Sequence, residues 1–289
     1  MIQSPRSYLL ALLAALLAAP ALAQAPQTTL DKVRKTGSIT LGYIDGAAPF
    51  SFVDSNGEPA GYSVELCRTV ADGVAAQLKR QSLKVRWVKL TIQNRIDAVR
   101  KGQVDLECST TTWTLSRQQL VDFSLVTFVD GGSLLVKATS EVGRVADFDG
   151  KRIAVIGGTT TEKSLRGVLA RNTAKTEVVL VKTREEGLAL LSEGQVEALA
   201  SDRTALIGVV VMSGATRGAY KLLDQDFSIE QYALMMKRGD HDFRLAVNRV
   251  LARIYRSGEI EKIYDRWLGP LGPPSVLLSA TYFIQNLAE

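Results

Sequence analysis

The chain has 289 residues, 35 lysines and arginines against 30 acidic residues, a formal charge of +5, two cysteines and a single histidine. A single histidine, at the start of an amphipathic C-terminal helix, gives little support to a histidine-dependent triad, and the usual zinc sites need several nitrogen or sulfur ligands. The basic residues are spread along the chain, without the stripe that nucleic acid requires. No metal, cofactor or nucleic-acid partner is therefore expected.

Residues 1–23 read as a cleavable export signal. Arg6 supplies the positive end, an apolar stretch covers 9–19, and Ala21-Leu22-Ala23 gives the small-x-small cleavage pattern. The apolar stretch is shorter than the ~20 residues of a spanning helix, and no cysteine follows it to carry a lipid. The expected product is soluble, begins near Gln24 and carries a charge of +4 once Arg6 is gone. Its length, about 265 residues, suits one large or two medium domains.

A strand is predicted at 38–43 and a hairpin over 49–62, turning at Asp54-Ser55-Asn56-Gly57. Val64, Cys67, Ala71, Val74 and Leu78 recur at helical spacing and mark the buried face of a long helix. A strand at 85–90, a short helix at 93–101 and a strand at 104–108 follow. After Asp130-Gly131-Gly132 the alternation resumes, with strands at 133–136, 152–156, 177–181 and 196–200. Helices at 160–169, 185–193 and 203–212 accompany them. A strand at 232–237, an amphipathic helix at 242–256 with His241 at its start, and a turn-rich tail from Leu268 complete the chain. Strands separated by helical patterns imply parallel α/β sheets, and the two runs about the Gly-Gly junction imply two lobes. Cys67 and Cys108 both fall at apolar-phase positions and are expected as two separately buried thiols, with a disulfide, which export permits, as the alternative.

The segment STTTWTLSRQQLVDFS, 109–124, leaves the end of the 104–108 strand. Such loops hold ligands in open α/β sheets. Its hydroxyls and Arg117 suit a carboxylate, to which a guanidinium donates two parallel hydrogen bonds. Taken alone, an arginine such as Arg117 is more often a solvated or salt-bridged surface residue than a ligand clamp. GGTTTEKS, 157–164, sits where a strand becomes a helix. Thr159 and Glu162 form a capping box there, with Thr159 at the N-cap, and the same helix terminus favours an anion. It is not a phosphate loop, because Glu162 stands where the second glycine belongs. Asp202 closes one strand and opens a helix, so it reads as an N-cap or as the counter-ion of an ammonium group. Together, a guanidinium with hydroxyls in one half and a helix terminus with a carboxylate in the other complement a zwitterion.

Nearly all of the chain beyond the export signal resembles the periplasmic solute-binding proteins of polar amino-acid ABC transporters. The matching stretches are GYIDGAAPFSFVDSNGEPAGYSVELC, TIQNRIDAVRKGQVDLECSTTTWTLSRQQLVDFS, GGTTTEK and IYDRWLGPLGPP. QNRI and ECSTTT are similar to glutamate/aspartate-binding members, and TTWTLSR also occurs in broad-specificity L-amino-acid binders. The resemblance implies a two-lobed α/β trap joined by two crossing hinge strands. One lobe would comprise 24–130 and 230–289 and the other 131–229, with hinges near 129–131 and 225–231. It further implies that Arg117, Thr110 and Thr112 hold an α-carboxylate, that Thr159 or Thr160 assists, and that Asp202 pairs with the α-ammonium.

Acidic-amino-acid members carry an arginine where this chain has Ile44 and a serine where it has Ile92, but the arginine that reaches the side-chain carboxylate is kept as Arg95. Arg184 falls near a position where they use histidine. A buried arginine needs an acceptor, so Arg95 favours a ligand with a side-chain oxygen; its alternative is a salt bridge to Asp97, Asp105 or Glu107. Glutamate, glutamine and a broad range stay open. The implied product is a monomeric, non-catalytic periplasmic binder that passes its amino acid to the permease subunits of an ABC transporter. A cyclohexadienyl (prephenate/arogenate) dehydratase-like enzyme is the alternative on this fold and would need a general acid, with Glu162 and Glu197 the nearest candidates. A ligand-sensing module serving a membrane receptor is the third reading.

Overall fold

The computed structural model describes residues 28–172 and 175–288. The export signal expected at 1–23 lies outside them. Thr28 opens a helix absent from the sequence reading, α1 (Thr29–Thr36), by accepting the Asp31 N–H on its Oγ1 at 3.1 Å. Gly37, at φ 66°, closes that helix in the left-handed conformation. Then come β1 (Ser38–Ile44), the hairpin β2 (Phe52–Val53) and β3 (Pro59–Ala60), α2 (Tyr62–Gln77), β4 (Lys84–Leu90), α3 (Arg95–Arg100), β5 (Leu106–Glu107) and α4 (Leu115–Gln118). The second half holds β6 (Val121–Lys137), β7 (Arg152–Ile156), α5 (Thr160–Asn172), β8 (Glu177–Val181), α6 (Arg184–Ser192), β9 (Ala198–Asp202) and α7 (Arg203–Met212). The chain finishes with β10 (Tyr220–Leu222), β11 (Ser228–Lys237), α8 (His241–Ser257), α9 (Glu259–Trp267) and α10 (Val276–Ile284).

Eight strands follow one path, β4-β1-β5-β11-β6-β9-β7-β8, while β10 pairs with β6 off that path and β2-β3 stand apart as a two-stranded sheet. β1 lies parallel to β4 and β5 at one end, and β7 parallel to β8 and β9 at the other. Between them, β6 and β11 run antiparallel, from Ser228 opposite Gly132 to Lys237 opposite Val121. Each end is a lobe with helices on both faces, as parallel strands require. In the first lobe, α2, α8 and α9 cover one face around Leu66, Val70, Val247 and Ile260, and α3 covers the other around Leu90, Val99 and Met235. In the second, Leu165 and Leu169 of α5 cover one face, and Leu188 of α6 and Leu206 of α7 the other. The fold is a two-lobed α/β trap joined by two strands. Among the described residues no helix is long and apolar enough to cross a membrane.

Three expectations need correction. The Gly-Gly pair does not break the chain: β6 runs for 17 residues straight through Gly131 and Gly132. A Cβ on Gly131 would strike the Asp226 side chain, and one on Gly132 would strike Ser228 Oγ, so the glycines serve a close approach of the returning segment rather than a turn. Cys67 and Cys108 are not separate thiols but a disulfide, their Cα atoms 6.0 Å apart across a separation of 41 residues. Apolar phase brought both side chains into one core and to bridging distance. On chain-entropy grounds a loop of that length is worth about 4 kcal/mol. Finally, the tail from Leu268 is not merely turns. Past its Gly-Pro stretch, Ser275 accepts the Leu278 N–H at 3.2 Å and starts α10, which Leu278 and Tyr282 bury against the first lobe.

Candidate functional site

The loop after β5 is fixed from three sides. The disulfide ties Cys108 to α2, and Ser63 Oγ donates to the Ser109 carbonyl at 3.0 Å. Beyond it, Trp113 N–H donates to Gln231 O at 2.7 Å, and Thr111 O accepts from Ala233 N–H at 3.2 Å, which lays the loop along β11. Thr114 then caps α4 by accepting the Arg117 N–H at 3.2 Å. This turn directs the Arg117 guanidinium back so that its Nη1 donates to Thr112 O at 2.7 Å.

Across the cleft, Thr159 is spent on the helix terminus: its hydroxyl donates to Ile156 O at 2.8 Å and accepts from Glu162 N–H at 3.0 Å. The other half of the expected box is shifted, with Glu162 accepting from Gly158 N–H at 2.7 Å. Thr160 and Thr161 are left to face the first lobe and the end of β9. Thr160 Oγ1 lies 3.1 Å from Thr112 Oγ1, the two lobes in direct contact. Thr161 Oγ1 donates to Asp202 Oδ1 at 2.8 Å. Asp202 stands at the N-cap position of α7 but makes no side-chain cap. Its other oxygen accepts from Tyr232 OH at 2.6 Å, and α7 is capped instead by Asp130, which accepts the Thr204 N–H at 3.1 Å. Asp202 is thereby freed from the helix and turned toward the cleft.

Arg95, Ile92, Thr110, Thr112, Thr159, Thr160 and Asp202 line one cavity between the lobes, together with Thr161, Arg184, Ser201, Ile156 and Ala200. Two expected residues are not on its wall. Ile44 is 4% exposed, packed with Leu90 and Val99, and faces an adjoining groove. Arg117, also buried, stands next to the wall through its bond to Thr112. Arg95 forms none of the salt bridges weighed for it. Asp97 pairs with Arg100 and Lys101, Asp105 pairs with Lys32 at 2.6 Å, and Glu107 accepts from Thr111 Oγ1 at 2.8 Å. Arg95 reaches only Thr110 O, at 3.4 Å, and its Nε is buried without a partner. Arg184 donates from Nε to Ser201 Oγ at 2.9 Å and stands 4.0 Å from Asp202.

The charges are held out of water. Burial lowers the Arg95 pKa, offset by the nearby Glu107 charge, and burial together with Arg95 lowers Arg117 to about 10, which leaves Arg117 cationic at neutral pH. Burial pushes Glu107 up. Asp130 is raised to about 7, first by burial and then by the Asp202 charge. Neither general-acid candidate lines the cavity: Glu162 is held by Gly158 N–H and Arg166, and Glu197 accepts the Arg152 N–H. Among the described residues no cluster of His, Cys, Asp or Glu could hold a metal ion.

Thr161, Ser201, Tyr232 and Glu230 escaped the sequence reading of the site. Thr161 had a signal, as the third hydroxyl of the TTTE turn. Ser201 precedes Asp202 in β9, and its partner Arg184 had already been noted. Tyr232 and Glu230 lie within a strand, where no motif marks them.

Residues 39–270 match the family model for bacterial extracellular solute-binding proteins, family 3. An L-glutamate/L-aspartate-binding protein of Pseudomonas aeruginosa is 35% identical over 268 residues, covering 92% of this chain and 88% of that protein. A glutamate/aspartate import solute-binding protein of Escherichia coli is 30% identical over 93% of this chain and 88% of its own length. An ancestral amino-acid-binding protein, described as a precursor of cyclohexadienyl dehydratase, superposes with a TM-score of 0.72 at 25% identity, over 83% of this chain and 99% of that one. These relatives are binding proteins, and the chain is not an enzyme. With its two lobes, its two connecting strands and its match over most of its length, the chain belongs to the family-3 bacterial extracellular solute-binding proteins.

Proposed function

We propose that this protein binds an L-amino acid with a side-chain oxygen, glutamate foremost, between its lobes in the periplasm, and delivers it as a monomer to the permease of an ABC transporter. One observation carries the ligand class. A single cavity holds the Asp202 carboxylate and the N-terminus of α5 together with the buried Arg184 and the buried Arg95, whose Nε has no partner. Asp202 suits an α-ammonium. The free N–H groups at the start of a 13-residue helix suit a carboxylate, and so does Arg117, which has five guanidinium N–H donors and one engaged with Thr112. Arg95 Nε then finds its acceptor on the ligand side chain. The glutamate/aspartate names of the relatives support this choice and the transporter partner. Ile92 leaves the side-chain end less polar than a further hydrogen-bonding group would. On this reading the lobes divide at 130/131 and 229/230, within β6 and β11.

A thermal-shift panel of the common L-amino acids against the purified protein tests the proposal. A ligand present at 100 times its Kd stabilises by about 2.7 kcal/mol, so L-glutamate should raise the melting temperature by several degrees. A flat panel would overturn the binding reading.

A further inference from the structure

Glu230, near the start of β11, is 1% exposed. Its Oε2 accepts from Thr112 Oγ1 and from Thr160 Oγ1, each at 2.7 Å, and its Oε1 accepts from Ser228 Oγ at 2.7 Å. These donors come from three places: the loop after β5, the first turn of α5 across the cleft, and β11 itself. No lysine or arginine among the described residues forms an ion pair with it, although its charge is near enough to Arg117 to raise that guanidinium's pKa. A buried carboxylate held by hydroxyls and no contacting cation is costly for folding alone.

Each threonine hydroxyl carries one proton, and both lie within 2.7 Å of the same carboxylate oxygen. Glu230 does not line the ligand cavity. It lines the outer groove, on whose wall Thr112 and Thr160 also stand. It therefore joins the two lobes from outside the cavity and through a hinge strand.

We propose that Glu230 is a latch: its carboxylate binds Thr112 of one lobe and Thr160 of the other, and so sets how long the closed arrangement lasts. The effect on ligand rests on the proposed reading that an amino acid is held between the lobes. The latch itself does not. Glu230 touches no ligand group, so it controls escape rather than selectivity. Opening separates Thr112 from Thr160 and must break at least one of two charge-assisted hydrogen bonds.

Glu230→Ala and Glu230→Gln in the otherwise intact protein test this by two readouts. In solution scattering without added amino acid, Glu230→Ala should show a larger radius of gyration than the unmodified protein, with Glu230→Gln between them. In stopped-flow fluorescence, with Trp113 on the groove as reporter, Glu230→Ala should release L-glutamate at least about tenfold faster. Its association rate should change little and its ranking of amino acids not at all. Unchanged scattering with unchanged release overturns the latch. So does tighter binding, which would make Glu230 a competitor of the ligand. If Glu230→Ala does not fold, Thr160→Val removes one arm and should show the same two changes. If the unmodified protein fails to bind L-glutamate, that failure falls on the ligand reading, and scattering alone decides the latch.

Discussion

The two ends of the cavity differ in how far the protein satisfies its own groups. At one end Thr112, Thr160, Thr161 and Asp202 are all hydrogen-bonded, to each other, to Glu230 or to Tyr232. At the other, Arg95 Nε is buried with no partner, and Ile92 lies beside it on the wall. The first end is held in place before any ligand arrives. At the second, a buried donor gains its bond only from what enters. A pre-organised end contributes affinity for whatever shares an α-amino-acid group. An unsatisfied end decides between side chains, because the wrong one leaves a buried polar group unpaired.

The largest expected effect breaks the shared end. Arg117→Ala removes the guanidinium beside Thr112 and should weaken every amino acid by on the order of 100-fold or more, as loss of a desolvated charged partner does. Calorimetric titration would show it, and a loss confined to some ligands would erase the distinction between the ends. Arg95→Ala is the matching change at the other end. It should weaken L-glutamate by about 10- to 100-fold while leaving smaller apolar amino acids nearly untouched. A uniform loss would return Arg95 to the shared end.

The smallest effect concerns the strand behind both. Asp130, raised to about 7 by burial and by Asp202, prefers its protonated form in the folded protein. The folded state then holds a proton that the unfolded chain has released above about pH 4. Stability from this group is complete below that pH, falls as pH rises, and is lost through about pH 7. Asp130→Asn should therefore match the unmodified protein near pH 4 and melt on the order of 5 °C higher at pH 8. Parallel melting curves across that range would show that Asp130 is charged throughout.

The fold was legible where period and punctuation agreed. The strand at 177–181 and the helix at 203–212 begin and end where expected. Gly131 and Gly132 were legible as the junction of the two runs but not as the middle of one strand, because a glycine that admits a neighbouring side chain looks in sequence like one that ends a strand. The α10 helix was hidden behind prolines, and the disulfide depends on a Cα distance that only packing sets. In the site, the family resemblance named Thr110, Thr112, Thr160 and Asp202, and these residues line one cavity. It also named Ile44, which packs in the core with Leu90 and Val99, since a strand-end residue can face the core instead. It could not see Glu230, one acidic residue in a mostly apolar strand whose meaning comes from two threonines 118 and 70 positions away.

The same ligand panel, run by calorimetry with two analogues of L-glutamate, tests the central claim most directly. 2-Hydroxyglutarate replaces the α-ammonium with a hydroxyl, and γ-aminobutyrate lacks the α-carboxylate. A zwitterion held by Asp202 on one side and by the α5 terminus and Arg117 on the other should bind as L-glutamate, while each analogue is weaker by about 100-fold or more. If either analogue binds as tightly as L-glutamate, the cavity does not recognise an α-amino acid.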